Sequence, residues 1–240
     1  MQVLEPLTAG NFYHVLSHGT GRRDLFPQQD NYSYFLRLCD KYLKEVVEVY
    51  AWVLMPNHFH MLLKVVTDDF STSSPDGVVT PTFIFSNPDG VATPSGLEKI
   101  KAPPSTPYHL LSKREKLSAG QQGGASHQLS KLFNAYAQAL NKRERTWGGL
   151  FERPFRRKLV DSERYLKQLV LYIHLNPVHH GFCSHPAEYP WSSFLAGGPQ
   201  TLGMTHRPVM ISWFGDEENY LHARGQRAMQ LLPEAWTLEQ

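Results

Sequence analysis

The chain has 240 residues, 41% of them apolar, and 24 Lys and Arg against 22 Asp and Glu give it a net charge of +2. That is enough apolar material for one large domain, or one domain with an appendage, and no run approaches the length of a membrane span. Cys39 and Cys183 match no ligand or redox spacing, and no signal peptide is visible in Met1-Gln-Val-Leu-Glu-Pro6, so a disulfide scaffold is excluded and a reduced, cytosolic setting is expected.

Phe12 to His18 reads as a first strand, ended by Gly19-Thr-Gly21. From about Pro27 to Glu45, Tyr34, Phe35, Leu38, Tyr42 and Leu43 follow helical spacing. Two strands come next, Val46 to Met55 and His58 to Val66, with Pro56-Asn57 as the tight turn between them. The second of these opens on His58-Phe59-His60. Residues two apart on a strand share a face, so both imidazoles can address one point in space while Phe59 packs on the other side. Two neutral imidazoles facing one point are the beginning of a divalent-metal site.

Residues 67 to about 107 break the pattern. The stretch is rich in Ser, Thr, Pro, Asp and Gly, and Pro75-Asp-Gly-Val-Val-Thr-Pro81 recurs as Pro88-Asp-Gly-Val-Ala-Thr-Pro94. It reads as a duplicated, flexible insertion in a loop, with room for a small added hairpin through Phe83-Ile-Phe85. A helix follows from about Ser126 to Arg145, carrying Leu129, Leu132, Phe133, Tyr136 and Leu140, and Gly148-Gly149 ends it. Phe155 to Val160 is a short basic strand, and Asp161 or Ser162 caps a helix that runs to about Leu175, where Asn176-Pro177 stops it. The order β-α-β-β-(insertion)-α-β-α predicts an α+β fold: a ferredoxin-like split βαβ unit with a four-stranded antiparallel sheet, two helices on one face, and a final helix after it. The domain is expected over 1–195, with 196–240 as a C-terminal extension. The histidines should lie on a central strand.

Charge is unevenly spread. Between Ser130 and Gln168 ten basic residues stand against four acidic ones, an excess of six, while acidic residues gather in the C-terminal tail. Lys142, Arg143, Arg145, Arg153, Arg156, Arg157 and Lys158, interleaved with Trp147, Phe151 and Phe155, suit a nucleic-acid backbone and stacked, unpaired bases as well as they suit a solvated helix face. On the last helix Leu166, Leu169, Val170 and Ile173 define a buried stripe, and Tyr165, Tyr172 and Asn176 fall on one flank of it. Tyr172 and Asn176, four apart, are stacked neighbours at the expected edge of the core.

Tyr13-His-Val15, Met55-Pro-Asn-His-Phe-His60, Tyr136 with Asn141, Gly149-Leu-Phe-Glu-Arg153, Tyr172-Ile-His-Leu-Asn-Pro-Val178 and Tyr189-Pro-Trp-Ser-Ser-Phe194 occur in this order. Together they resemble the single-tyrosine HUH transposases, and within them the REP-associated tyrosine transposases. The resemblance covers about residues 10 to 195 outside the insertion. It implies that His58 and His60 are metal ligands, that Asn176 is the third ligand, and that Tyr172 is the nucleophile on the C-terminal catalytic helix. It implies further a Mg²⁺ or Mn²⁺ cofactor and single-stranded or hairpin DNA as partner. A bacterial cytoplasmic, nucleoid-associated place and a homodimer go with it as expectations.

The chemistry so implied is the cleavage of a phosphodiester by a phenol oxygen, leaving a 5′-phosphotyrosine and a free 3′-OH. A phenol with a pKa near 10 is mostly protonated at neutral pH, so it needs a phosphate whose charge has been partly offset. Two rivals stay open on the sequence alone. One is a domesticated DNA-binding protein of the same fold without mobilising activity; the other is a metal-dependent hydrolase that uses water, with Tyr172 only packing. His14, His18 and His174 are read as structural or DNA-contacting.

Overall fold

The computed structural model describes residues 6–66, 124–195 and 206–225. The insertion expected at 67–107 lies outside the described residues. All described elements fall in one compact unit. They are β1 (Phe12–His18), α1 (Gln29–Leu43), β2 (Val47–Met55), β3 (His58–Val65), α2 (Ala125–Glu144), β4 (Arg156–Leu159), α3 (Glu163–His179), α4 (Arg207–Ser212) and α5 (Glu217–Gly225).

The strands form an antiparallel sheet in the order β2-β3-β1-β4. This is the α+β, split βαβ arrangement expected from the element order, and it puts His58 and His60 on a central strand. One face carries α1 and α2. There Phe35 meets Phe59 at 5.4 Å between ring centroids, Phe59 meets Phe133 at 5.6 Å and Phe133 meets Phe151 at 5.0 Å. Each such pair contributes roughly 0.5–1.5 kcal/mol beyond area burial, so this run of tilted rings helps lock the helices to the sheet. The other face carries α3, which packs mainly on β2 and β3.

The β2–β3 turn is pinned from outside. The amides of Leu25 and Phe26 both donate to the Pro56 carbonyl (2.7 and 2.9 Å), and the Gly19 amide donates to Asn57 (2.8 Å). A Cβ on Gly19 would lie 1.8 Å from the Arg23 carbonyl oxygen, so only glycine lets the chain leave β1 in this way. The result is a fixed starting position for His58.

Two expectations need correction. Asn176-Pro177 does not stop the last helix, which continues to His179. Near a C-terminus a proline forfeits a single intrahelical bond, and the turn is closed regardless: the His180 amide donates to the Asn176 carbonyl (3.1 Å) and that of Phe182 to Pro177 (2.9 Å). Nor does the flank of α3 form an edge of the core. Tyr172 and Asn176 are buried, at 5% and 0% exposure, because they face the sheet, Tyr172 against His60 and His14 and Asn176 against His58. The chain beyond α3 covers the opposite side of the helix. His174 is held between Ser193 Oγ (2.7 Å) and Tyr220 Oη (2.8 Å). Residues 191–193 run along the outer side of β2, with Leu54 N donating to Trp191 O and Ser193 N to Trp52 O, both 2.9 Å. His206 N continues the edge by donating to Val49 O at 2.8 Å.

Candidate active site

On strand β3, His58 and His60 project to the α3 side, as their spacing predicts, and Phe59 to the side of α1 and α2. Antiparallel pairing with β1 sets His18 directly opposite His58 and Leu16 opposite His60. His14, two residues from Leu16, shares the same face. Above them, α3 brings Tyr172, whose ring stands edge-on to His60 (5.3 Å, 84°) and to His14 (6.4 Å, 78°). One turn on, Asn176 Oδ1 lies 3.2 Å from His58 Nε2. Another turn on, the His180 ring lies 5.0 Å from that of His58. The structure thus brings His58, His60, Asn176 and Tyr172 together, each buried, with half-buried His18 and exposed His179 and His180 at the rim.

The protons at His58 pose a specific question. Its Nδ1 lies 2.8 Å from Asn57 Oδ1 and its Nε2 3.2 Å from Asn176 Oδ1. A neutral imidazole has one N–H, so it cannot donate to both oxygens. If the proton is on Nδ1, the Nε2 lone pair and the Asn176 oxygen face each other across a gap. A divalent cation there would satisfy both, and donor atoms about 3 Å apart match neighbouring ligands on an octahedral ion with bonds near 2.1 Å. Asn176 Nδ2 is buried with no hydrogen-bond partner. Without a cation, the opposite orientation of the amide would let it donate to the His58 Nε2 lone pair, so the orientation described is the one that a cation favours. Burial, followed by the neighbouring imidazoles of His14, His58, His18 and His180, pushes the pKa of His60 well below the usual histidine value. His60 is therefore neutral, the form that ligates metals. Among the described residues no three His, Cys, Asp or Glu side chains are arranged to hold a metal. The donors that the fold gathers here are two imidazoles and one amide.

The basic residues divide between the two faces. Arg156 and Lys158 pair across from Leu16 and His14, which places them on the α3 side with the histidines. Burial lowers the pKa of Lys158, whose ammonium lies 5.2 Å above the Tyr165 ring. Arg157 points the other way, donating to Ser126 Oγ (2.8 Å), and Arg153 donates to Asn134 Oδ1 (2.8 Å). Both line a cavity of about 520 Å³ between α2 and residues 148–157. Arg143 ties the two helices on that face, bonding Asp30 (2.8 Å), Asn31 (2.6 Å) and Glu144 (3.1 Å). Lys142 and Arg145 are exposed at the end of α2. Of the three aromatics read as stacking platforms, Trp147 is 89% exposed, whereas Phe151 is in the core and Phe155 packs on Phe133.

Comparison with solved structures finds a REP-associated tyrosine transposase bound to a REP hairpin, 14% identical, matching over 86% of this chain and 98% of that one with a TM-score of 0.50. The two chains share a fold. No family model matches the sequence, and no curated protein does. Several motif residues shared in the sequence resemblance act as clamps within this fold. Tyr136 Oη donates to Leu25 O (2.6 Å), Tyr189 Oη to Leu54 O (2.7 Å), and Asn141 Nδ2 to Gly148 O (3.0 Å). His14 and His18, read from the sequence as structural or DNA-contacting, prove to share the face of His58 and His60. Both have the strand parity of a shared face, but only the β1–β3 register shows that this face belongs to His58 and His60.

Proposed function

We propose that this chain is a metal-dependent tyrosine transposase, a single-strand DNA endonuclease and strand transferase acting on hairpin-flanked DNA. The observation that carries the reading is the meeting of Tyr172 and Asn176 on α3 with His58 and His60 on β3. His58, His60 and Asn176 would hold Mg²⁺ or Mn²⁺, and such an ion when bound offsets the negative charge of the scissile phosphate. Tyr172 supplies the attacking oxygen. Its phenol oxygen bonds to phosphorus, the bond from phosphorus to the 3′ oxygen breaks, and the phenol proton ends on that 3′ oxygen. The products are a 5′-phosphotyrosine and a free 3′-OH. One phosphodiester has replaced another, so a 3′-OH can later attack the phosphotyrosine and rejoin a strand without a nucleotide cofactor. Edge-on packing against His60 and His14 restricts the Tyr172 ring and so fixes the line along which its oxygen approaches.

Arg156 and Lys158 lie on the same face of the sheet as this site, which supports their receiving the DNA backbone. Hairpin DNA as ligand is supported by the solved transposase of the same fold, which is bound to a REP hairpin. Among the described residues no helix is long and apolar enough to cross a membrane. A cytoplasmic, nucleoid-associated place accords with DNA as the ligand.

The deciding experiment incubates the protein and Mn²⁺ with hairpin-flanked single strands labelled at the 3′ end. Strand transfer chemistry leaves the label covalently attached to protein. Cleavage without attachment would replace this reading with hydrolysis by water, and binding without cleavage would replace it with a DNA-binding protein of the same fold.

A further inference from the structure

His14 is completely buried on β1, an unusual place for an imidazole that an aliphatic side chain could fill without desolvation cost. Its Nε2 lies 2.9 Å from Nδ1 of His60, with the rings stacked at 5.1 Å and 25° between planes. Two neutral imidazoles share one proton across such a contact, so only two arrangements exist. In the first, His60 Nδ1–H donates to His14, and Nε2 of His60 carries a lone pair. In the second, His14 donates, and the proton of His60 sits on Nε2, where it blocks a cation. An isolated neutral histidine side chain favours the second form for itself, so an acceptor at Nδ1 is needed to reverse the preference.

We propose that His14 is a positioning residue: it accepts the Nδ1 proton of His60 and holds that imidazole in the tautomer whose Nε2 binds a divalent cation. This deepens the reading above and rests on His60 being a ligand. The companion histidine shows the same device with a different acceptor, since His58 Nδ1 lies 2.8 Å from Asn57 Oδ1. Each imidazole of the pair is anchored through Nδ1. His14, accepting at Nε2, then carries its own proton on Nδ1. Partners of this kind orient metal-bound histidines and fix their tautomer, and their loss lowers metal affinity about 10- to 100-fold.

The test uses the full chain. Long-range ¹H–¹⁵N correlation spectra of chelator-treated protein report which nitrogen of His60 carries the proton, and calorimetric titration with Mn²⁺ alone reports affinity. In the unaltered chain His60 is expected protonated at Nδ1. His14→Leu should move the proton to Nε2 and weaken Mn²⁺ binding by about 10- to 100-fold, while His14→Gln, which keeps an acceptor, should lose much less. A His60 already protonated at Nε2 in the unaltered chain, or unchanged Mn²⁺ affinity in His14→Leu, would overturn the proposal. If His14→Leu does not fold, the tautomer in the unaltered chain decides alone. An unaltered chain that binds no Mn²⁺, or binds it equally well after His60→Ala, overturns the metal reading and this inference with it. Retained dependence on His60 together with indifference to His14 overturns this inference only.

Discussion

His58 and Asn176, 118 positions apart in the chain, meet at 3.2 Å on the α3 side of the sheet. One comes from the first residue of a strand and the other from the last turns of a helix, so the pair exists only once the whole fold has formed. If the two atoms share a cation, Asn176→Leu should weaken Mn²⁺ binding at least about 10-fold, the lower end of what even outer-shell losses cost. Asn176→Asp keeps the oxygen and adds charge, and should bind Mn²⁺ more tightly. Calorimetric titration of the three proteins checks this ordering, and equal affinities would remove Asn176 from the ligand set.

Tyr172→Phe removes one hydroxyl from a ring that otherwise packs on His60 and His14. The variant should form no covalent adduct with 3′-labelled hairpin DNA, while its melting temperature and DNA affinity stay close to those of the unaltered chain. An adduct in the Phe variant would assign the attack to another tyrosine, with Tyr165 and Tyr136 next in line.

Because the basic run is split by the sheet, its members should not act alike in DNA binding. Arg156→Glu and Lys158→Glu should weaken hairpin binding across all sequences and flatten the salt dependence, by roughly 0.7 in slope for each single-strand phosphate that is no longer neutralised. Arg143→Glu breaks bonds to Asp30 and Asn31 on α1 and should show first in thermal stability. Fluorescence anisotropy over a salt series, beside a melting curve, separates the two effects. Hairpin-flanked single strands should bind better than the same sequence fully paired.

Tyr189→Phe withdraws the buried donor to the Leu54 carbonyl and should cost about 1–3 kcal/mol in urea unfolding, the penalty for an unsatisfied buried polar group. Mn²⁺ affinity should be unaffected, since the clamp lies outside the ligand set. A change in metal binding larger than the change in stability would show that this segment shapes the site directly.

Burial raises the phenol pKa values of Tyr136, Tyr165 and Tyr189 above that of a free tyrosine. The unfolded chain loses these protons first, so their contribution to stability is full below about pH 10 and declines as pH rises beyond it. Ultraviolet titration should show these phenolates appearing together with loss of the fold. Their smooth ionisation in a protein that stays folded would contradict the burial.

Much of this architecture was legible in the chain. The strand over Phe12–His18, the Pro56-Asn57 turn and the Ser162 cap rest on local chemistry: the Ser162 hydroxyl accepts from the Tyr165 amide (3.3 Å) as the cap rule requires. The continuation of α3 through Pro177 was not legible, because it depends on backbone bonds formed beyond the proline. Burial of Tyr172 was hidden for a related reason: it depends on α3 docking on the strands that carry His14 and His60. The contact between His14 and His60 needs the sheet order, and pairing between strands some 46 positions apart leaves no local trace.

The two ends of the sheet are treated differently. Residues 191–193 and 206 occupy the outer side of β2 at Val49, Trp52 and Leu54, so those backbone groups are not open to a foreign strand. At the opposite end β4 is four residues long and reads Arg156-Arg-Lys-Leu159, and among the described residues no strand pairs with its outer side. A short, cationic border repels a second copy of itself, which guards against edge-to-edge fibre growth. The same border would suit a polyanion, so one stretch of charge can serve both to keep copies of the chain apart and to meet the DNA proposed as its ligand.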